Sequence, residues 1–518
     1  MTETPHRPVN PWIVAIAVMF ATFMEVLDTT VVNVSLPHIA STMSATIEEA
    51  TWVLTSYMVA NAIILPMTGW LASRLGRKRL LMWSTMGFTA ASVLCGMAPN
   101  LASLVLFRII QGATGGALQP LSQAVLLESF KPEDRGRAMG FWGFGIVVAP
   151  ILGPVVGGWI TETYNWRWVF YINLPVGAAS LFMIQMYVFD PPYLKKLSTG
   201  IDYWGMGMLV LGIGALQFVL DKGQQEDWFA SNLIVTLSII SAVALIALVF
   251  YELRTEAPIV DLRVFKNRTY ATGVFLMTVV GFALYGSLVL LPIMLQTLFG
   301  YSSLEAGKAM APRGMGSMIM MPVVGMLTSK VDPRRLLVLG LLIGGGTMWW
   351  LGQINLNAGP WNIMIPQFLQ GAGMALLFVP LTTVSMASIQ PQKMGNATSL
   401  FNLMRNIGGG VGIAVTGTYL ARNRQVVGSI LGENVSAYDP QTQTTLNQII
   451  QGLVAAGNDI TTATERAYMI LHGMVLRQAS MVSFVTLFRM MGVLFLIMIP
   501  LVLLMRRPSK GAAPAAAH

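Results

Sequence analysis

Runs of about twenty mostly apolar residues, the length needed to cross a bilayer as a helix, recur fourteen times along this chain of 518 residues. Only 11% of its residues are charged, against 54% hydrophobic. A water-soluble globular protein carries about 25% charged residues. So much apolar surface cannot hide behind a polar shell, and lipid must be the solvent for much of the chain. Backbone groups in lipid have to bond internally, so runs of this kind fold as helices. The expected fold is all-α, polytopic and membrane-spanning.

The runs lie near 12–36, 50–72, 80–98, 102–127, 138–161, 168–189, 203–221, 230–251, 271–298, 306–328, 335–354, 361–389, 396–421 and 480–505. The polar start MTETPHRPVNPW and the length of the first run predict a first span rather than a cleaved signal. Basic residues set the orientation. With the N-terminus inside, inner joints hold RLGRKR (74–79), KPEDRGR (131–137), Lys195, Lys196, the stretch Arg254 to Arg268, Lys330, Arg334, Arg335 and Lys393. Arg7, Arg506, Arg507 and Lys510 bring the inner total to 21 of 32 basic residues. Both termini are therefore expected inside, which an even span number satisfies. In this pattern the net charge of +9 is a topology signal rather than a nucleic-acid surface. Residues 422–479 form one polar outer stretch, with apolar spacing that predicts short amphipathic helices. Such a stretch serves as a surface cap or as a docking element for a partner outside the membrane.

The chain also repeats itself. PMTGWLASRLGRKRLL (66–81) pairs with PVVGMLTSKVDPRRLL (322–337) at an offset of 256, with Gly69 and Arg79 meeting Gly325 and Arg335. Gln111-Gly112-Ala113 pairs with Gln370-Gly371-Ala372 at an offset of 259, as Gly153 does with Gly412. Spans 2, 4 and 5 thus map onto 10, 12 and 13. The implied organisation is a six-helix half (1–190), an inserted helix pair with flanking inner linkers (191–270) and a second six-helix half (271–518) that includes the loop 422–479. Parallel six-span halves are a transporter architecture, with the substrate path between them and rocking as the motion.

Several segments carry more specific chemistry. These are LDTTVVNVSLP (27–37), GWLASRLGRKR (69–79), LFRIIQGATGGA (106–117), GIVVAPILGPVVGG (145–158), WRWVFYINLPVG (166–177) and PIVDLRVFKNR (258–268). Together they resemble the major facilitator superfamily, specifically its fourteen-span drug:proton antiporters of the EmrB/QacA type, nearest the EmrB branch. The resemblance covers nearly the whole chain. It implies a major facilitator fold with proton-coupled efflux of lipophilic toxic compounds across a bacterial inner membrane. It also implies a gating loop at Gly69, Arg74, Gly76 and Arg77. Where the family motif often has Asp, this chain has Ser73, which puts a charge relay through that position in doubt. In the EmrB branch a periplasmic adaptor of EmrA type and an outer-membrane channel complete the assembly. The loop 422–479 is the expected adaptor contact.

The residues also speak for themselves. Gly69 and Gly76 permit close helix approach and a sharp turn. The fifth span carries Gly145, Pro150, Gly153, Pro154, Gly157 and Gly158. Its small-xxx-small face lets backbones meet, and its prolines each remove an internal hydrogen bond. That this helix serves an antiporter follows from the resemblance alone.

Charges at membrane depth are rare and functional by default. Glu25 and Asp28 share a face of the first span at i, i+3. Arg108, in the fourth span, lies at a similar depth to Asp28, about 9–12 Å below the outer end. An Asp28–Arg108 contact is expected. Two carboxylates one turn apart in low dielectric cannot both ionise cheaply, so one is expected to hold an exchangeable proton. The arginine keeps the other charged. A static ion pair joining spans 1 and 4 fits the same spacing. The second half has no equivalent acid and places Gln367 at the Arg108 position. Its own span cations are Arg313, Arg405 and Arg489, with Arg313 and Arg489 expected near the outer interface. Asn33, Gln111, Gln119, Gln123, Gln296, Gln367, Gln370, Asn402 and Asn406, with Arg405, can line a wet cavity or stitch helices together.

No HExxH, Walker loop or Cys/His cluster supports an enzyme, a metal site or a cofactor; the proton is the only coupling ion expected. Cys95 is the sole cysteine, and His6, His38, His472 and His518 all fall outside the runs. Three functions remain: a multidrug exporter, a dedicated exporter of one natural solute such as a fatty acid, lipid or siderophore, and a non-transporting scaffold, against which the acids of the first span argue.

Overall fold

A computed structural model describes residues 10–190, 202–256, 258–433, 435–436 and 438–505. Arg7, Lys195, Lys196, Arg506, Arg507, Lys510, His6 and His518 lie outside the described residues, as does the side chain of Pro154.

A helix overlies every apolar run. The first half comprises α1 (Pro11–Thr42), α2 (Ile47–Leu75), α3 (Arg77–Met97), α4 (Leu101–Ser129), α5 (Arg135–Thr163) and α6 (Trp168–Tyr187). The inserted pair is α7 (Tyr203–Lys222) and α8 (Asn232–Arg254). Then follow α9 (Arg268–Leu298), α10 (Ser303–Lys330), α11 (Pro333–Leu351), α12 (Trp361–Ala387), α13 (Met394–Glu433), α14 (Pro440–Ala455) and α15 (Ile460–Val502). Among the described residues ten of these are long and apolar enough to cross a membrane, or eleven if the bent α5 is one span. The helices α10, α11 and α13 fall below that apolarity because glycine and polar residues populate the faces they pack with.

Local chemistry sets the boundaries. Asn10 accepts the Trp12 N–H at 3.0 Å, and Pro11 occupies the first helical position, where its missing donor is harmless. Asn100 and Ser103 form a reciprocal cap at the start of α4, as Ser302 and Glu305 do at α10. Gly76 joins α2 to α3 at φ +88°, a left-handed backbone that side chains resist. A Cβ there would also strike Asp190, whose Oδ1 accepts the Lys78 N–H at 2.8 Å and caps α3. The helix α5 bends by 40° between Arg135–Pro150 and Val155–Thr163, where the prolines interrupt its bonding.

In each half the first helix packs on the fifth and the second on the fourth: α1 with α5 and α2 with α4, then α9 with α13 and α10 with α12. The halves meet along α2–α13 and α5–α10. The inserted α7 lies against both α2 and α13, so it spans one of these two seams. Thr55 donates to Asp221 and Lys222 Nζ reaches Thr51 Oγ1 at 2.6 Å, which ties α7 to α2. The joints that carry Arg74–Arg79, Lys131–Arg137, Arg254–Arg268, Lys330–Arg335 and Lys393 all fall on one face, called the basic face below.

The loop 422–479 departs from expectation. It is not a polar loop with two short helices. Instead α13 continues to Glu433 and α15 begins at Ile460, with α14 as the one separate helix between them. Helices of 40 and 43 residues measure about 60 Å at 1.5 Å per residue, twice the hydrocarbon thickness, so both project beyond it. The polar residues end the apolar run without ending the helix, because no proline interrupts α13 after 421 or α15 before 480. Asp439 and Asp459 cap α14 and α15, and the amide bonds they accept hold both carboxyls below the usual range.

Candidate functional site

Asp28 is the centre of a buried polar cluster in the first half. Its Oδ2 accepts from Arg108 Nη1 at 2.6 Å, with both side chains fully buried. Its Oδ1 accepts from Gln111 Nε2 at 3.0 Å and Asn173 Nδ2 at 2.6 Å. Arg108 is held in turn: Nε donates to Val53 O at 3.0 Å, Nη1 to Gln111 Oε1 at 2.8 Å, and the guanidinium stacks 4.2 Å from the Tyr57 ring. Asn173 also donates to Ser92 Oγ at 2.9 Å. Donors from α4 and α6 thus converge on one carboxylate of α1, with α2 and α3 supporting them. An ion taken out of water is tolerable only with such compensation. The Asp28–Arg108 contact expected from depth is made, whereas Asn173 was visible only as part of the 166–177 segment.

Glu25 sits one turn deeper and is treated differently. It is 5% exposed, and its Oε1 accepts from Asn61 Nδ2 at 3.0 Å. Its Oε2 is buried without a hydrogen-bond donor. Gln119 of α4 and Arg405 of α13 lie beside it. Arg405 Nη2 donates to Gln119 Oε1 at 2.6 Å across the seam between the halves. Just toward the basic face, Asn402 Nδ2 donates to Gln123 Oε1 at 2.6 Å and Thr398 Oγ1 to Pro120 O at 3.0 Å. Buried Gln123 Nε2, Asn402 Oδ1 and Arg405 Nε have no protein partner. The seam therefore holds an acid, a cation and several unsatisfied polar atoms at one level. Only the fold could reveal that Arg405 faces Glu25, because 380 positions separate them in the chain.

The other expected lining residues divide. Gln111, Gln119 and Gln123 are in the clusters just described. Gln367 is buried inside the second half and donates to Gln370 Oε1 at 3.1 Å. Asn33 and Gln296 are exposed and join neither cluster. Polarity within an apolar run cannot tell which helix face it occupies when the run is apolar all round. Arg313 takes a structural place. It is 9% exposed, with Nη1 donating to Ser287 Oγ at 3.3 Å, rather than snorkelling at an interface. Arg489 is exposed and donates to Gly352 O at 2.6 Å, at the end of α11.

The basic face is closed by close backbone packing. A Cβ on Gly69 would lie 2.6 Å from Asn396 Cα, and one on Gly325 3.0 Å from Arg137 Cα. These are one contact made twice, because Gly69 maps to Gly325 and Arg137 to Asn396 under the two repeat offsets. Gly136 and Gly140 approach Gly325 O and Met321 O in the same way, at 2.9 and 2.6 Å. Arg77 is buried, ion-paired with Glu128 of α4, and donates from Nη2 to Pro391 O of the second half at 3.1 Å. Arg74 lies over the Trp70 ring at 4.8 Å. Ser73 donates to Trp70 O at 2.7 Å within its own helix. The acid that pairs with this segment therefore comes from α4, which the chain order around 69–79 could not disclose.

The glycines of α5 contact α1. A Cβ on Gly145 would meet Met19, on Gly153 Thr30 and on Gly157 Val31, while Gly158 faces open space. Pro150 marks the bend.

Comparison with known proteins agrees with this geometry. The profile described as Major Facilitator Superfamily matches residues 18–413. Multidrug export protein EmrB of Haemophilus influenzae is 40% identical over 442 residues, covering 85% of this chain and 86% of that protein. Fatty acid resistance protein FarB of Neisseria gonorrhoeae is 38% identical over 496 residues, covering 96% of each. The solved structure of a double-tryptophan XylE mutant superposes with a TM-score of 0.62 at 14% identity, covering 97% of both chains, which shows the shared fold.

Proposed function

This chain belongs to the major facilitator superfamily, and on that premise we propose that it is a proton-coupled exporter of hydrophobic toxic compounds. The observation that carries the reading is the pair of membrane-depth acids in α1, one satisfied and one not. Asp28, with three donors, is a fixed charge that positions α1, α4 and α6. Glu25, with one oxygen free of donors and Arg405 across the seam, is the acid that exchanges a proton as the halves rock. Antiport requires that proton and substrate exclude one another. A substrate seated against Glu25 and the orphaned Gln123 and Asn402 atoms displaces the proton, and protonation from the opposite side releases the substrate. The latch at Arg77, Glu128 and Pro391 holds the basic face shut during that release.

The helices α1 to α13 and α15 are read as fourteen spans, with both termini and the basic face in the cytoplasm of a bacterial inner membrane. The projecting α13–α14–α15 hairpin then stands on the periplasmic side. It is the expected contact for an adaptor of EmrA type leading to an outer-membrane channel. Deleting α14 should leave transport in vesicles intact and abolish adaptor co-purification; retained co-purification would remove the hairpin from that role.

The deciding experiment is substrate-dependent proton release in liposomes. The wild type should release protons with substrate, and Glu25→Gln should not. Full activity of Glu25→Gln with an intact pH dependence would remove Glu25 from the mechanism. A second reading, export of one natural amphiphile such as a fatty acid, is favoured by the FarB similarity over 96% of both chains. Resistance profiling separates the two: many unrelated toxicants for the first, a single solute for the second.

A further inference from the structure

The inserted pair carries a groove remote from the seam. A shallow, open depression of about 440 Å³ lies between α7 and α8, lined by Met208, Ala247, Phe250, Tyr251, Arg254 and Thr255. Its position across the membrane can be read from the helices. Arg254 ends α8 and Tyr203 begins α7, both at the basic face. Tyr203 and Trp204 are 73% and 78% exposed there, as aromatic residues are at a headgroup boundary. Ala247 lies seven residues before Arg254, about 10 Å deeper at 1.5 Å per residue. The outer side of α8 belongs to lipid: its mean hydropathy is 2.9, and 22% of its apolar window is buried. The groove therefore runs from the headgroup level into hydrocarbon.

Its chemistry changes along that length. Met208, Ala247 and Phe250 make the deep part apolar. At the shallow end stands Arg254, exposed and without a hydrogen bond or ion pair among the described residues. Arg254 is not needed to cap its own helix, because Arg263 Nη2 already donates to Thr255 O at 2.9 Å and Leu253 O at 3.3 Å. The neighbouring acids do not claim it. Glu252 is buried towards the start of α7, Asp202 accepts from Tyr251 Oη and from Gly205 N at 2.9 Å each, and Glu256 is exposed beyond the helix end. The bond to Asp202 also fixes Tyr251 as a groove wall.

We propose that this groove binds an anionic phospholipid of the leaflet on the basic face. The lipid phosphate pairs with the Arg254 guanidinium, whose planar fork suits phosphate oxygens. One acyl chain lies along Met208, Ala247 and Phe250. A bound lipid there would fasten the inserted pair to the bilayer beside the seam that α7 spans.

The test is native mass spectrometry of the purified full chain titrated with phosphatidylglycerol or with phosphatidylcholine. Phosphatidylglycerol should bind about fivefold more tightly, the increment of one basic residue near an anionic headgroup. Arg254→Gln should erase that preference. Ala247→Trp, which fills the groove and keeps the charge, should weaken retention of both lipids. Equal binding of the two lipids by the wild type would overturn the proposal. So would an unchanged preference in Arg254→Gln, or undiminished retention in Ala247→Trp, since lipid would then be held elsewhere. Substituting the charged and the apolar end of the groove separately keeps the result readable if one variant folds poorly.

Discussion

A Cβ on Gly112 of α4 would lie 2.3 Å from Tyr57 O, and one on Gly371 of α12 would lie 1.8 Å from Arg313 O. Gly371 is the repeat mate of Gly112, and Arg313 that of Tyr57. The same backbone approach is therefore built in both halves. The charges are not. Arg108 corresponds to Gln367, and Asp28 to Ala283 when Pro37 of α1 is registered on Pro292 of α9. The first half holds a buried ion pair in a cluster built from five helices; the second keeps an amide pair, Gln367 with Gln370, at the matching place. Close packing is needed wherever two helices cross, so both halves retain its glycines. In the mechanism proposed above, one proton-exchanging centre serves both halves, which accords with the acids standing in the first half.

This contrast can be broken at several points. The largest effect should come from Arg108→Ala, which strands Asp28 as a buried unpaired charge and costs about 3–5 kcal/mol. Its counterpart Gln367→Ala removes one neutral hydrogen bond and should cost about 1 kcal/mol. Thermal unfolding in detergent measures both, and equal losses would erase the asymmetry. Next, Gly112→Ala and Gly371→Ala should each cost about 1–3 kcal/mol by overpacking, and similarly in the two halves. A neutral result at either site means that the backbones can part there.

Asn402→Ala removes the bond to Gln123 across the seam, about 1 kcal/mol. It should loosen the closed basic face, seen as faster labelling of a cysteine introduced at Thr328. Glu25→Gln keeps the oxygen that accepts from Asn61, so its stability should change by under about 1 kcal/mol. Proton release should nevertheless vanish. Retained coupling would transfer the exchange to another group. The smallest effect concerns the projecting hairpin. Because the folded Asp439 carboxyl is held below its usual range, its contribution to α14 is present above that range. It is lost as pH falls through the lowered value. The protection factors of the amides in the first turn of α14 should then fall while the span portion of α15 stays protected.

The amino-acid order alone determined a great deal here. Apolar runs predict helices because lipid leaves the backbone no other partner, and helices stand at every run. Repeated glycines at fixed offsets announced two equivalent halves, since only close helix crossings demand glycine at those places. Asp28 and Arg108 could be paired from depth alone, because rise per residue converts sequence into height in a membrane. Three things needed the tertiary structure. Arg405 comes beside Glu25 by way of Gln119, and Glu128 pairs with Arg77, through helices whose rotation no all-round apolar pattern encodes. The extension of α13 and α15 beyond the bilayer was hidden because hydropathy reports the solvent around a helix, not where the helix stops. Which of two neighbouring acids is satisfied and which is left free depended on donors from α2, α4 and α6, and only folding brings those to one place.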